Sequence, residues 1–539
     1  MTSLAEAWRS RVSMNPDRVA IAYFDGKLTA AEADEMSDAL AVAMHELGTR
    51  TGDRVAIHLQ NIPQYALTLI ALWKLGAVAV ILNPMYQGTE LRKLVDDSGA
   101  VGFVGDDTEV ARMSTTLAGS PVRWVVSTSA LDLQTRNDPR VFSSAARGQV
   151  AQHGDLLELV AAHRGSRPPA VEVTADDVAL LTYTSGTTGP AKGAMNTHGN
   201  VLAVASTYGA WADVAAGDVV FGMAPLFHIT GAVANAALAL LHDTTLVLAN
   251  RFHPEVALDT FSEHAVTFTI GSITAYNAMY QVPTAGPDRF ASVKYLFSGG
   301  APIPPVTVKR FEERFGVYLH NGYGLTETTS CVVAVPPGTR APVHQPSGTL
   351  SVGVPLPGLS VRVLDADHKP LPAGEEGELE ISGPQVVPGY WQKREATDAA
   401  MPEGRLRTGD VAIIDEAGWI YLVDRLKDQI NVSGYKVWPR EVEDVLYQHP
   451  LVREAAVVGE PDDYRGESVA AYVSLVADAV VAPEDLITFT RTRLAAYKVP
   501  RRVVIIEDLP RTQSGKIRRN VLREGAATDP ATDAAASAP

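Results

Sequence analysis

Residues 181–195 read LTYTSGTTGPAKGAM, an apolar strand-like entry into a dense run of hydroxyls and glycines that closes on a lysine. These residue types suit the binding of phosphate. Glycine lets the backbone come close, hydroxyls and backbone N–H groups donate to phosphate oxygens, and Lys192 adds a point charge. The run is not a Walker A loop, because Pro190 and Ala191 separate Gly189 from Lys192 and no Lys-Ser/Thr pair follows. Taken alone, it also reads as a flexible Gly/Thr turn.

Further short runs follow in a set order: Pro225-Leu226-Phe227-His228, Ser298-Gly299-Gly300-Ala301, Asn321-Gly322-Tyr323-Gly324-Leu325-Thr326-Glu327-Thr328, Gly377-Glu378-Leu379, Arg407-Thr408-Gly409-Asp410, Asp424-Arg425-Leu426-Lys427-Asp428 and Pro510-Arg511-Thr512-Gln513-Ser514-Gly515-Lys516. Each has an ordinary reading. The run ending in Glu327 could be a turn entering a helix, Asp410 a turn acid after Gly409, Arg425 and Lys427 solvated charges, and His228 a satisfied core histidine. Their joint occurrence in one order is not ordinary. Together with residues 181–195 they resemble the adenylate-forming, AMP-binding superfamily, which contains acyl-CoA synthetases, peptide-synthetase adenylation domains and beetle luciferases. Within it the chain looks like the acyl-CoA synthetase or fatty-acid–CoA ligase branch, and the resemblance spans nearly the whole chain.

That resemblance implies roles. Thr184, Ser185, Gly186, Thr187, Thr188 and Lys192 would hold the β- and γ-phosphates of ATP. Glu327, with Thr184, would hold Mg²⁺, and Thr326 would touch the α-phosphate. Gly300, Ala301, Asn321, Gly322 and Tyr323 would border adenine. Asp410 would accept from the ribose hydroxyls, which an ionised carboxylate can do twice, with Arg425 helping. Lys516 would be the mobile catalytic lysine on a small domain that rotates about Lys427. Ser433, Gly434, Tyr435 and Lys436 would meet coenzyme A, Gly434 letting the pantetheine arm pass close to backbone. His228 would gate the acyl pocket or neighbour the adenylate. The pocket would be lined around residues 228–233, 271–274, 299–301 and 323–324, including Ile229, Gly231, Ser272, Gly299 and Gly324.

The chemistry is consistent with this set. A carboxylic acid of pKa near ~4 to 5 is already an anion at neutral pH, so adenylation needs no general base. The obstacle is the meeting of two anions and the charge on the leaving pyrophosphate, which calls for cations and N–H donors. In the second half-reaction a thiol of pKa ~8.5 displaces AMP from the mixed anhydride without a protein nucleophile. Residues 228–241 read HITGAVANAALALL, with no acid before Asp243. Amino-acid-activating members of the family it resembles place an aspartate shortly after the Pro-Leu-Phe-His run to bind the substrate ammonium. By that resemblance an α-amino acid would here bury its ammonium without a counter-ion, so an apolar acid is expected, a medium- or long-chain fatty acid ahead of aryl or alicyclic acids. An acyl-AMP ligase loading a carrier protein is the alternative, and a nonenzymatic nucleotide-binding protein a third reading.

Elements must bring these scattered residues together. Strand-like runs RVAIAY, RVAIHL, AVAVIL and AVGFVG alternate with helical patterns at 30–47 and 63–75, which argues for a parallel α/β sheet. Residues 145–176, with Arg147-Gly148, Gly165-Ser166 and Pro168-Pro169, read as a surface excursion. Between 335 and 424 short strands and Gly/Pro turns suggest a small antiparallel, barrel-like region. The expected fold is α/β: a large N-terminal domain of parallel α/β subdomains plus a small distorted β-barrel (1–424), a hinge (425–427), a small mobile α+β domain (428–525) and a disordered tail (526–539). At 539 residues, 46% hydrophobic and 20% charged, the chain is expected to be globular and divided into domains.

A net charge of −16 disfavours nucleic acid and anionic membrane surfaces as partners. The single cysteine, Cys331, excludes an internal disulfide framework and a multi-cysteine metal site, and reads as a packing residue. With no signal-peptide pattern at the start and no stretch suited to span a bilayer, a cytoplasmic enzyme is expected, with a homodimer left open. Its ligands would be the acid, ATP, Mg²⁺ and coenzyme A.

Overall fold

The apolar runs form strands, but runs that are consecutive in the chain do not all share a sheet. The computed structural model describes residues 2–526 except 143, 145, 185–190, 302, 346–347, 434, 463–464 and 512–516, with backbone alone for Lys427 and residues 524–526. Val19–Tyr23 pairs in parallel with Thr245–Leu248, more than 200 residues away, inside a nine-stranded sheet. Arg54–His58, Val78–Ile81 and Gly102–Asp106, the next three strand-like runs, lie instead in a six-stranded sheet with Trp124–Thr128, Val178–Thr184 and Lys192–Thr197. Most pairings in both sheets are parallel, with antiparallel strands at the edges.

Between the two sheets runs the helix Pro63–Leu75, in which every residue is buried. Its start and stop are written locally: Pro63 takes the first helical position and Gly76 caps the end in the left-handed region. Each fully buried Leu or Ile contributes about 1.5–3 kcal/mol relative to exposure. Lys74, the charge that interrupts this apolar run, is accommodated rather than expelled. Its Nζ lies 2.7 Å from carboxylate oxygens of both Asp34 and Asp38 and donates to Ser37 Oγ at 2.8 Å. Among the described residues no helix is long and apolar enough to cross a membrane.

Residues 145–176 are not only an excursion. Asp155 caps a short helix, Leu156–Ala162, whose Leu156 and Val160 are buried. The antiparallel texture after residue 335 appears as a four-stranded sheet, Ser360–Leu364, Glu376–Ser382, Leu406–Ile414 and Ile420–Arg425, tied back by the bridge Gly353 to Ile420. After the 3₁₀ turn Leu426–Asp428 a separate five-stranded sheet carries its own core of Val437, Val442, Leu446, Val457 and Val473. The small unit meets the large one where Arg440 Nη1 donates to Leu422 O at 2.8 Å and Trp438 Nε1 to Glu376 Oε1 at 3.1 Å. Residues 527–539, including nearly all of the expected tail, lie outside the described residues.

Candidate active site

Three parallel strands, Phe268–Gly271, Tyr295–Ser298 and Leu319–Leu325, lie side by side, with Gly271 opposite Ser298 and Ser298 opposite Asn321. Their carboxyl ends therefore present Ser272, then Gly299, Gly300 and Ala301, then Gly322 to Gly324, along one edge. A crevice outside the carboxyl ends of parallel strands is where open α/β sheets bind ligands. Gly300 turns the chain at φ +82°, which a side chain rarely tolerates. Ser272 caps the helix Ile273–Gln281 by accepting from Ala275 N, and Asn321 donates to Ser351 O at 3.1 Å.

The acyl-side candidates come from the next strand. Val219–Phe221 leads into residues 222–229 and then into a π-helix, Thr230–Ala237. A wound-out turn of this length is uncommon and tends to occur at functional sites. His228 is half-buried and its Nδ1 accepts from Thr230 N at 3.3 Å, while Ile229 is buried. Gly231 is required sterically, since a Cβ there would sit 2.1 Å from Pro225 O. Asn235, the one polar side chain buried in the π-helix, spends both ends of its amide on Ile270 backbone: Nδ2 donates to Ile270 O at 3.1 Å and Oδ1 accepts from Ile270 N at 3.3 Å.

The nucleotide-side candidates converge from four segments. Tyr323 O–H donates to Asp410 Oδ2 at 2.7 Å, and Arg425 Nε lies 3.1 Å from Asp410 Oδ1 across the sheet. Burial and the neighbouring Asp410 charge push the Tyr323 phenol far up, so it remains a neutral donor. The same carboxylate holds the Arg425 guanidinium above its ordinary range. Thr326 and Glu327 lie in the 3₁₀ turn Thr326–Thr328, which packs against both strands of the 178–197 hairpin and is tied by Asn196 Nδ2 to Thr326 O. Thr184 and Lys192 face each other across that hairpin. Ser185, Gly186, Thr187 and Thr188 lie outside the described residues, as do Lys516 and Gly434 and the side chain of Lys427. Arg511, just before 512–516, reaches Thr274 Oγ1 at 3.4 Å and so touches the acyl-side helix of the large unit.

The coenzyme A candidates stand apart from this convergence. Ser433, Tyr435 and Lys436 belong to a hairpin of the small unit, with Ser433 at φ 53°. Ser433 and Tyr435 line a cavity of about 270 Å³ with Arg465, Ser468 and Tyr497, whose ring stacks on Tyr435 at 4.8 Å.

Among the described residues no group of three or more His, Cys, Asp or Glu could cage a metal. Mg²⁺ does not require one, since it is ordinarily held by one or two carboxylates, waters and substrate phosphates. Glu327 suits that donor set: its Oε1 accepts from Tyr390 O–H at 2.7 Å, which fixes the carboxylate beside the strands Val178–Thr184 and Lys192–Thr197. Tyr390 was not among the sequence candidates. It follows Pro388-Gly389, reads as part of a turn, and acquires meaning only through contacts with segments 60 and 200 residues away.

Two family models match the chain: AMP-binding enzyme over residues 8–391 and AMP-binding enzyme C-terminal domain over residues 441–516. The chain is 34% identical over 538 residues to a long-chain-fatty-acid–CoA ligase of Escherichia coli O6:H1, covering 97% of this chain and 94% of the relative. It is also 34% identical to a feruloyl-CoA synthase of Amycolatopsis sp, covering 95% and 97%. The ATP-bound structure of MatB from Rhodopseudomonas palustris superposes with a TM-score of 0.87 at 27% identity, covering 97% of this chain and 99% of that one. The placement of the candidates at the strand ends, the ordered motifs and these matches agree, and the chain belongs to the AMP-binding enzyme family.

Proposed function

We propose that the chain is an AMP-forming acid–thiol ligase that activates an apolar carboxylic acid with ATP and passes the acyl group to coenzyme A. A medium- or long-chain fatty acid is the preferred substrate. The observation that carries this reading is the clasp on Asp410, held between Tyr323 and Arg425, with Thr326 and Glu327 in the turn that follows the Tyr323 strand and Tyr390 joining Glu327 to Lys192. A fixed carboxylate suits a ribose diol, and a cation with hydroxyls suits the phosphates beyond it.

In the first half-reaction a carboxylate oxygen attacks the α-phosphorus, the bond to the bridging oxygen breaks and pyrophosphate leaves. Lys192 and the 184–188 hydroxyls would hold the β- and γ-phosphates, Thr326 the α-phosphate, and Lys516 both reacting anions. Mg²⁺, held by Glu327 with Thr184, would supply charge neutralisation on the phosphates. In the second half-reaction the thiol, its proton lost to solvent, attacks the acyl carbon as the thiolate and AMP leaves with the bonding pair. Ser433 to Lys436 would guide the thiol after the small domain turns about 425–427. Domain limits of 1–424 and 428–525, with a tail from 526, accompany this reading.

Two features support an apolar acid. The Asn235 amide is engaged by Ile270 backbone and carries no negative charge to pair with an ammonium, and no acid precedes Asp243 in that segment. The two relatives described above are named for a fatty acid and an aryl acid, both largely apolar. The test is a panel of fatty, aryl, alicyclic and amino acids with ATP and Mg²⁺, measuring AMP and acyl thioester with and without coenzyme A. Coenzyme A-dependent AMP and thioester from fatty acids is expected. Acyl-AMP without thioester would move the acceptor to a carrier protein, and turnover of amino acids alone would overturn the apolar pocket.

A further inference from the structure

The segment 387–393 crosses the mouth of the phosphate-loop hairpin and is stitched to it on both sides. Met195 N donates to Gly389 O at 3.0 Å, Trp391 N donates to Gly193 O at 2.8 Å, and Tyr390 bridges Ala194 in antiparallel fashion. One end is anchored by Val387 N donating to Glu327 O at 2.9 Å. The other end is anchored by Lys393 Nζ, 2.7 Å from Asp97 Oδ1, and Asp97 Oδ2 in turn accepts from Tyr183 O–H at 2.8 Å. Tyr183 is the residue before Thr184, so the strap grips both strands that lead into and out of residues 185–190.

At the centre of the strap, Tyr390 is buried and its two chemical faces are used separately. Its hydroxyl donates to Glu327 Oε1 at 2.7 Å, and its ring lies 5.1 Å from Lys192 Nζ. One oxygen of the Glu327 carboxylate is thereby held, which sets the direction of the other. The Lys192 ammonium is set over an aromatic face. A donor on a metal-binding carboxylate orients it, and loss of such a partner ordinarily costs 10–100-fold in metal affinity.

We propose that Tyr390 is a positioning residue that holds Glu327 and Lys192 in register for Mg²⁺-bound triphosphate, acting on the first through its hydroxyl and on the second through its ring. This rests on the proposed roles of Glu327 and Lys192. A direct ion pair between Glu327 and Lys192 would spend each charge on the other rather than on the metal and the triphosphate. A neutral aromatic alcohol can serve a carboxylate and an ammonium at once, and the backbone stitching of 389–391 fixes it between them.

The test separates the two faces without turnover. Full-length wild type, Tyr390→Phe, Tyr390→Leu, Glu327→Gln and the double variant Tyr390→Phe/Glu327→Gln are compared without any carboxylic acid present. Mn²⁺ affinity in the ATP complex is read from the free-ion electron paramagnetic resonance signal, and metal-free ATP affinity from calorimetry. Tyr390→Phe should weaken Mn²⁺ binding about 10-fold while leaving metal-free ATP affinity unchanged, and Tyr390→Leu should weaken both. The double variant should bind Mn²⁺ no more weakly than Glu327→Gln alone, because the hydroxyl acts only through that carboxylate. Additive losses in the double variant would reduce Tyr390 to a packing role and overturn the proposal. Wild-type Mn²⁺ affinity in Tyr390→Phe, with Glu327→Gln weakened, would also overturn it while sparing the reading of Glu327. Unchanged affinity in both single variants would instead remove Glu327 from the metal site. Should Tyr390→Phe lose its thermal transition, Lys192→Met in the Tyr390→Leu background tests the ring face by the same cycle in metal-free ATP affinity, additive losses again overturning the proposal.

Discussion

Asp410 shows how far a single side chain can be argued. It is buried, and its two oxygens already have separate partners, Tyr323 on Oδ2 and Arg425 on Oδ1. An ionised carboxylate offers about four lone-pair directions, so two remain for a ribose diol. Hydrogen bonds to a charged group contribute about 1.5–3 kcal/mol each. Asp410→Ala should therefore raise the KM for ATP by about 10-fold or more while moving the KM for the acid much less. Initial rates of AMP release at varied ATP measure this, and an unchanged ATP dependence would take Asp410 out of the nucleotide site. Tyr323→Phe should produce a smaller rise, since Arg425 still holds the other oxygen. Asp410 and Glu327 stood out as candidates in the sequence because each sits inside a run whose order is informative. Cys331 was legible for the opposite reason: a lone cysteine among apolar residues reads as packing, and burial pushes its thiol up to about 12, away from any nucleophilic role. Tyr390 was not legible, because nothing local distinguishes a glycine–tyrosine turn from any other.

At the scale of elements, boundaries written by local chemistry were readable and those set by distant partners were not. The 63–75 pattern matches the helix Pro63–Leu75, with proline at its start and glycine after its end. The strand-like runs also formed strands, yet which sheet each joined depended on pairing across more than 200 residues, as for Val19–Tyr23 with Thr245–Leu248. Residues 229–241 read only as a buried helix or strand, since a uniformly apolar run carries no usable period. The π-helical winding of Thr230–Ala237 within them is instead accompanied by Asn235 pairing with Ile270 and by the close approach of Gly231 to Pro225. That pairing carries a prediction. Asn235→Ala leaves a buried N–H and a buried C=O of Ile270 without their side-chain partner, at about 1–3 kcal/mol for each unsatisfied group. A lower urea midpoint is expected with the preference for apolar acids retained. A variant of wild-type stability would mean that the amide does not brace the π-helix.

At the scale of the whole molecule, one chain must serve two half-reactions, and the proposed division of labour separates them. Lys516→Ala should abolish adenylation but leave thioester formation from supplied acyl-AMP largely intact. Gly434→Leu should do the reverse. Equal loss in both half-reactions for either variant would remove the alternation of the small domain. The junction that such alternation would use carries two carboxyls in unusual surroundings. Asp424, at the end of the large unit, accepts from Arg440 N at 3.0 Å, and Asp444, on the helix Pro439–Leu446, lies 3.7 Å from Arg440 Nε. Glu443, Glu441 and Arg519 complete the charged neighbourhood. Burial pushes Asp424 up to about 6 and Asp444 up to about 7. An unfolded aspartate titrates near ~3.9. Between about pH 4 and 7 the folded chain therefore binds more protons at Asp444 than the unfolded chain does, and the stability owed to this group falls as pH rises through that window. Asp444→Asn imitates the protonated form at every pH. Relative to wild type it should gain stability between pH 5 and pH 8, on the order of 1 kcal/mol per pH unit inside the window. Urea unfolding followed by Trp438 fluorescence, in a variant lacking the other tryptophans, measures the difference at both pH values. An identical wild-type-to-variant difference at pH 5 and pH 8 would mean that Asp444 ionises as an ordinary surface acid and places no proton at the junction.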